Sequence, residues 1–363
     1  MKTTMIFRKA ALFSTVVSLL LVCTVVQAET STAPALAPDI ARDFVRAHTL
    51  LDVGGGRKMH LYCRGEGALT VMFDAGLSDW SSIWALVQPR IASRTRACTY
   101  DRAGMGYSDP SNRPSTPFNI VEDLRHLIKA AGIPGPVFLV GHSLGGFNMK
   151  LFAASYPAEV AGLVLVDPTE ELEEARARQL VTAKFGAATF KKMYSEENGV
   201  SAWLAHFQQC TDAARKQDLD PLSDLYKQCT DPVHPPLGSL IAQHRATVQV
   251  RYAYQAAQAS EARNCVIAPN PDLDAQYARI FGKKNALGNL PLIVLSHSIK
   301  DKTSPFPDED QVVLLALHEQ TTASSTRGRH RVVPDTRHNI EVDDPQSIVL
   351  AINDVLDMLG VAP

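Results

Sequence analysis

The sequence predicts an α/β fold: a mostly parallel, eight-stranded sheet with helices on both faces and a helical segment inserted late in the chain. Three observations carry this prediction. Eight short apolar runs alternate with helix-like segments from about residue 48 onward. Strands separated by helices run parallel and are covered on both sides. The run Pro136-Val137-Phe138-Leu139-Val140 breaks off at Gly141-His142-Ser143-Leu144-Gly145-Gly146, and a helix-like stretch follows at once. Ser143, Asp167, Asp301 and His338 all fall just past the ends of predicted strands, the edge where such sheets hold their ligands.

The elements follow in order. Runs 50–53 and 59–63 flank Gly54-Gly55-Gly56 and read as a hairpin. A buried strand over 69–73 stops at Asp74-Ala75-Gly76, and residues 83–87 open a helix. Strand 96–100 ends in the glycine turn Asp101-Arg102-Ala103-Gly104-Met105-Gly106. Residues 120–131 form an amphipathic helix, with Ile120, Leu124, Leu127 and Ile128 on one face and Gly132 as its stop. Next come the strand before Gly141, the helix 147–154, and strand 162–166, which ends at Asp167-Pro168.

Residues 169–288 are rich in Ala, Glu, Lys, Gln and Arg, with helical spacing and no strand-like run. Proline breaks at Pro221, Pro232, Pro235, Pro236, Pro269 and Pro271 divide them. Strand 292–295, helix 310–319, strand 331–333, a loop over 334–338 and a last helix over 345–359 complete the chain. The predicted core is therefore 48–168 plus 289–363, with 169–288 as the insertion.

Lys2, Arg8 and Lys9 precede an apolar stretch over 10–26, and Val26-Gln27-Ala28 has the small-residue pattern of a cleavage site. Residues 1–28 are read as a signal peptide, since the apolar run is short for a bilayer span. A leader over 29–47 follows. The expectation is a periplasmic or secreted protein with no stable membrane span after cleavage. Formal net charge is -2 and there is no basic run, which argues against a nucleic-acid partner. Cys63, Cys98, Cys210, Cys229 and Cys265 lie beyond the signal. That odd number leaves at least one unpaired, and the connectivity stays open. Their spacing suits no zinc site and there is no H-E-x-x-H, so no metal and no cofactor is expected.

The G-x-S-x-G over 141–145, the turn over 101–108 and a late loop histidine before a final helix resemble the α/β-hydrolase superfamily. The resemblance covers about 48–168 and 288–361, and the insertion sits where that family carries a helical lid. The order nucleophile, acid, histidine fits as well. The fold hosts several chemistries. Dehalogenase and epoxide-hydrolase members carry Asp at the elbow, whereas Ser143 implies acyl transfer on esters, thioesters, amides or lactones.

That chemistry needs a base, an acid and an oxyanion site. A free hydroxyl is a poor nucleophile, and His338 is the expected base because imidazole titrates near neutrality and its loop matches the family's histidine. His297 is the rival base, and His142 is read as a packing residue. Two carboxylates compete to orient the base. The resemblance puts the usual acid after the strand at 292–295, where Lys300 stands and Asp301 follows. A minority of members place it one strand earlier, where Asp167 stands. Asp167 is the expected acid and Asp301 the alternative.

The oxyanion donors implied by the resemblance are the backbone N–H groups of Leu144 and Leu77. The family's usual His-Gly before the latter is Ala75-Gly76 here. Phe185, Phe190, Met193, Trp203, Leu204 and Phe207 are read as lid core rather than substrate wall. Cys210 and Cys229 flank a proline-containing loop, where a disulfide would tie down the lid. The run Glu170, Glu171, Glu173 and Glu174 is read as a solvated helix face, its other use being to hold a substrate amine. The expected function is an exported serine hydrolase acting on a small-molecule carboxylic ester. A proline-iminopeptidase-like aminopeptidase acting on amides, a lactonase, and a noncatalytic binder of the same fold are the alternatives.

Overall fold

The computed structural model describes residues 36–195, 200–231 and 233–362. The expected signal peptide, residues 1–28, lies outside the described residues.

Eight strands form one sheet: β1 (Thr49–Asp52), β2 (Lys58–Arg64), β3 (Thr70–Asp74), β4 (Arg96–Tyr100), β5 (Val137–His142), β6 (Val160–Val166), β7 (Leu292–His297) and β8 (Gly328–Val333). Their spatial order is β1-β2-β4-β3-β5-β6-β7-β8. β1 and β2 pair antiparallel through a turn whose glycines 54, 55 and 56 have φ of 117°, 65° and 78°, which residues with a Cβ rarely adopt. β2 pairs antiparallel with β4, and every later pairing is parallel.

Successive side chains of a strand face opposite ways, and this divides the core in two. Val71, Phe73, Val164 and Val166 pack on one face with Trp84 and the helix Pro345–Met358. Met72, Leu139, Leu163 and Leu165 pack on the other with the helices Pro117–Ala130 and Ser143–Ser155.

Three local results differ from the sequence reading. The helix expected at 83–87 is the 3₁₀ turn Ser81–Leu86 followed by the short helix Gln88–Ile91; Pro89 fits only a first turn. The helix expected at 120–131 begins earlier, at Pro117, where the Thr116 hydroxyl accepts from the Asn119 N–H. The second half of the leader is part of the core. Its helix Pro38–Asp43 buries Ala41, the next residue Phe44 packs edge-on against Tyr62, and Asp43 accepts from Tyr62 and Arg64.

Between β6 and β7 the described residues hold helices and no strand: Glu173–Phe185, Ala187–Met193, Val200–Lys216, Asp224–Cys229, Gly238–Gln249, Tyr252–Asn264 and Pro271–Phe281. Cys63–Cys98 joins β2 to β4 at directly paired positions, and Cys210–Cys229 closes a loop within the insertion. Cys265 is free and buried. No helix among the described residues is long and apolar enough to cross a membrane.

Candidate active site

β5 passes directly into the helix that begins at Ser143, and Ser143 sits at φ 51°. The glycines around it are sterically required. A Cβ on Gly141 would lie 2.3 Å from the Gly145 carbonyl oxygen, and one on Gly145 would lie 2.4 Å from the Ala75 carbonyl oxygen. Neither backbone atom has room to yield. Ser143 is part-exposed, with its Oγ 3.4 Å from Thr169 Oγ1. The Thr169 N–H donates to the Ser143 carbonyl at 3.0 Å.

The loop after β3 runs past this serine. A Cβ on Gly76 would sit 3.4 Å from Ser143 Cβ. Leu144 is in the first helical turn, where N–H groups have no intrahelical partner and carry the positive end of the dipole. Among the described residues, neither the Leu77 nor the Leu144 N–H donates to a protein acceptor.

His338 lies in the loop after β8, and its Nδ1 is 2.5 Å from Asp167 Oδ2. Asp167 follows β6 directly, at φ 45°. The last residue of β7, His297, reaches the same carboxylate twice. Its backbone N–H donates to Oδ1 at 3.0 Å, and its Nδ1 lies 2.7 Å from Oδ2. Burial by itself would raise the Asp167 carboxyl, but bonds from His297 and His338 hold it far below the ordinary carboxylate range. For His297, burial lowers and the Asp167 bond and charge raise; the Asp167 contribution prevails. An ionised acid only accepts, so the network fixes both rings as Nδ1–H tautomers. Nε2 of His338 is left as an acceptor.

Asp301, the alternative acid, is turned elsewhere: its Oδ1 accepts from the Thr303 N–H and hydroxyl at 2.8 and 2.7 Å. Asp167, His297 and His338 are also metal-ligand types in one cluster. Their separations of 2.5 and 2.7 Å are those of N–H···O bonds. Ligands around a tetrahedral zinc stand about 3.3 Å apart, from bond lengths near 2 Å.

His142, read as a packing residue, is buried, and its Nε2 also bonds the His338 carbonyl at 2.9 Å. Its Nδ1 is 3.1 Å from Glu341 Oε1. Burial, then the charge of His338, pushes His142 down to about 3, and burial pushes Glu341 well above its ordinary value. Both shifts favour the neutral form.

The acidic run needs correction. Glu170 and Glu171 are not a solvated face. They are buried ahead of the helix, and Lys150 Nζ bonds them at 2.7 and 2.5 Å. Arg176 bonds both as well, at 2.8 and 2.9 Å. A buried carboxylate demands a partner. The available sequence signal was Lys150 itself, a cation amid apolar helix residues.

Of the expected lid core residues, Phe190 is buried with Phe185 and Met193 packed near it, and Phe207 is buried beside Trp203 and Leu204. A cleft of about 1240 Å³ opens beside His338 and His297, with Ile299, Leu314, Val342 and His234 in its walls.

A parallel sheet carrying a serine elbow, with a histidine–aspartate pair at the same edge, defines a hydrolase class. Residues 67–351 match the model of the Alpha/beta hydrolase family, and the chain belongs to that family of hydrolytic enzymes. It is similar to the uncharacterized protein YqjL of Bacillus subtilis (strain 168), at 30% identity over 129 residues, 32% of this chain and 51% of that protein. It is also similar to a 2-(acetamidomethylene)succinate hydrolase of Mesorhizobium japonicum, at 28% over 170 residues, 47% of this chain and 59% of that one. The chain thus spans about half the length of these relatives. Among solved structures, the enol-lactonase from Burkholderia xenovorans LB400 has a TM-score of 0.52 at 16% identity, over 85% of this chain and 99% of that one. At that identity the likeness is one of fold.

Proposed function

We propose that the protein is an exported serine hydrolase that cleaves carboxylic esters of small molecules through an acyl-enzyme. The observation that carries this reading is the bond from His338 Nδ1 to the buried Asp167 carboxylate at the edge where Ser143 is presented. In this mechanism Ser143 Oγ turns from Thr169 toward His338 Nε2, which takes its proton as Oγ attacks the ester carbonyl. Asp167 stabilises the imidazolium and keeps the ring in its productive tautomer. The Leu77 and Leu144 N–H groups receive the oxyanion. His338 then protonates the departing alcohol, and water enters by the reverse steps to free the acid and Ser143.

A serine rather than an aspartate at the elbow supports acyl transfer over epoxide or halide chemistry. Lactones, as cyclic esters, fall within the same mechanism. The aminopeptidase alternative needs a free acidic pair; Glu170 and Glu171 are taken up by Lys150 and Arg176, while the exposed Glu173 accepts from Tyr194 and Glu174 pairs with Arg178. A noncatalytic binder would have no use for an acid oriented on a histidine at the sheet edge that presents the serine.

A fluorophosphonate probe should label the wild type on the peptide containing Ser143, and p-nitrophenyl esters of graded chain length should be turned over. Folded Ser143→Ala should do neither; retention of the wild-type rate by that variant overturns the reading. Export rests on the basic, apolar and small-residue order of residues 1–28. Mass spectrometry of protein from the native host should give an N-terminus near Glu29, and intact Met1 in the periplasm or medium would overturn it.

A further inference from the structure

The loop that would supply the Leu77 N–H is gripped along its whole length, and most of the grip comes from the insertion. Arg102, in the turn after β4, donates to the Ala75 carbonyl at 2.7 Å and the Gly76 carbonyl at 2.6 Å. Leu77 packs beside Phe207 and Ala259, on the helices Val200–Lys216 and Tyr252–Asn264. The Ser78 N–H donates to Glu261 Oε2 at 3.0 Å, and the Tyr254 hydroxyl donates to the Ser78 carbonyl at 2.8 Å. Arg245 donates to Asp79 at 2.7 Å and stacks 4.5 Å over Trp80.

Glu261 also binds Arg102 bidentately, at 2.6 and 2.9 Å, while Asp74 takes the third guanidinium edge at 2.7 Å. Glu261, Arg102, Tyr254 and Ser78 are all buried. Ser78 has φ 66°, a left-handed conformation that a non-glycine residue holds only when its surroundings impose it.

The geometry points to Glu261 and Tyr254 as positioning residues for the oxyanion loop. The inserted helices thereby set the register of the Leu77 N–H against Ser143, an inference that rests on the serine-hydrolase reading. The helices Gly238–Gln249 and Tyr252–Asn264 accordingly form a fixed wall of the site, not its moving cover. An oxyanion donor acts only when preorganised at the place where charge develops. The fixed points on both sides of Leu77, the carbonyl of residue 76 and both backbone groups of residue 78, supply that constraint.

Glu261→Gln and Tyr254→Phe test this. In Glu261→Gln either amide orientation turns an NH₂ toward an N–H of Arg102 or Ser78. Tyr254→Phe keeps the ring and removes one bond. Removing an oxyanion donor outright costs about 100- to 1000-fold. Displacing one should therefore lower kcat per active site by about 10- to 100-fold in Glu261→Gln and by roughly threefold or more in Tyr254→Phe. KM for a p-nitrophenyl ester should stay within about twofold, as expected when only transition-state binding is lost. The Ki of a trifluoromethyl ketone should rise in step with the fall in kcat. Active sites are counted by burst titration, so a merely destabilised variant loses titre but keeps its per-site kcat and Ki.

If Glu261→Gln does not fold, Tyr254→Phe decides. Unchanged per-site kcat and Ki in folded Tyr254→Phe overturn the proposal. Should the wild type fail to react with fluorophosphonate, the serine-hydrolase reading falls, and hydrogen exchange still judges the loop. The amides of residues 77–79 should then exchange at least about tenfold faster in Tyr254→Phe, on the principle that local opening sets exchange; unchanged exchange overturns the grip itself.

Discussion

Asp167→Asn separates the two candidate acids, and the structure says how the amide will sit. With its oxygen at the Oδ2 site, the amide would still accept from His338 Nδ1. Its NH₂ would then face the backbone N–H of His297, which donates to Oδ1 in the wild type. That leaves a buried donor unmet, at a cost of about 1–3 kcal/mol. With the oxygen at the Oδ1 site, the His297 N–H stays satisfied. The two NH₂ hydrogens then point at the two ring nitrogens that shared Oδ2. Both rings can accept by changing tautomer, so every group is paired and this orientation wins. The variant folds, but His338 carries its proton on Nε2 and no longer accepts from Ser143. In a serine protease the same error costs about 10⁴-fold in kcat, or about 5 kcal/mol. A loss of that order is expected here, measured as burst-titrated kcat on a p-nitrophenyl ester. Asp301→Asn should change little, because its carboxylate serves Thr303. A loss under about tenfold in folded Asp167→Asn, or a large loss in Asp301→Asn, would refute the reasoning, since the tautomer effect is far larger.

Three further outcomes are expected. His338→Ala should be inactive on p-nitrophenyl esters; a folded His338→Ala enzyme that keeps the wild-type rate would contradict the base assignment. Glu341 is held above its ordinary 4.5 and His142 below its ordinary 6.5. Above pH 4.5 the unfolded chain therefore releases a proton that folded Glu341 keeps, and stability falls with pH. Between 3 and 6.5 the unfolded state carries a proton that folded His142 lacks, and stability rises with pH, opposing the first slope up to 6.5. Glu341→Gln removes only the first contribution, so its stability relative to the wild type should grow by about 1.4 kcal/mol per pH unit from 4.5 upward for as long as folded Glu341 keeps its proton, measured in urea titrations, and a pH-independent difference would count against a raised Glu341. Reducing Cys210–Cys229, with 19 residues of separation, should cost about 3 kcal/mol if loop entropy in the unfolded chain dominates; an unchanged urea midpoint in Cys210→Ala/Cys229→Ala would exclude that.

The sheet was legible because each strand is a short apolar run with a turn residue at its end. The elbow was legible because its glycines have a steric cause that leaves a local trace. The preference for Asp167 over Asp301 came from Lys300 standing where a carboxylate was due. Other features depend on partners far away in the chain. Glu170 and Glu171 read as surface until Lys150, on another element, takes them inside. From sequence His297 reads only as a rival base, since its two bonds to Asp167 arise where β6 and β7 end side by side. The pairing of Cys63 with Cys98 depends on the β2–β4 register, which apolar pattern alone does not specify. The helix Pro38–Asp43 leaves no sequence signature because so short a helix gains its stability from packing, not from propensity.

The position of the Asp167 carboxylate beside His338 follows from the register of two parallel strands. Val166 pairs with Leu295, and the Asp167 N–H donates to the Leu295 carbonyl at 2.8 Å. Asp167 therefore leaves β6 level with the end of β7. A carboxylate carried on either strand end emerges under the loop that bears His338. Where the acid sits on β7, the end of β6 needs only to turn. Here the roles are exchanged: β6 supplies the carboxylate, and β7 supplies His297, whose backbone N–H holds Oδ1 while its ring shares Oδ2 with His338. The exchange has an electrostatic consequence. One oxygen receives two imidazole N–H groups, so the negative charge that would stabilise the His338 imidazolium is already partly engaged by His297. The nearly complete burial of Asp167 compensates, because a carboxylate shielded from water interacts more strongly with both rings. Asp167 can thus serve a second histidine and still orient the first, provided it stays dry.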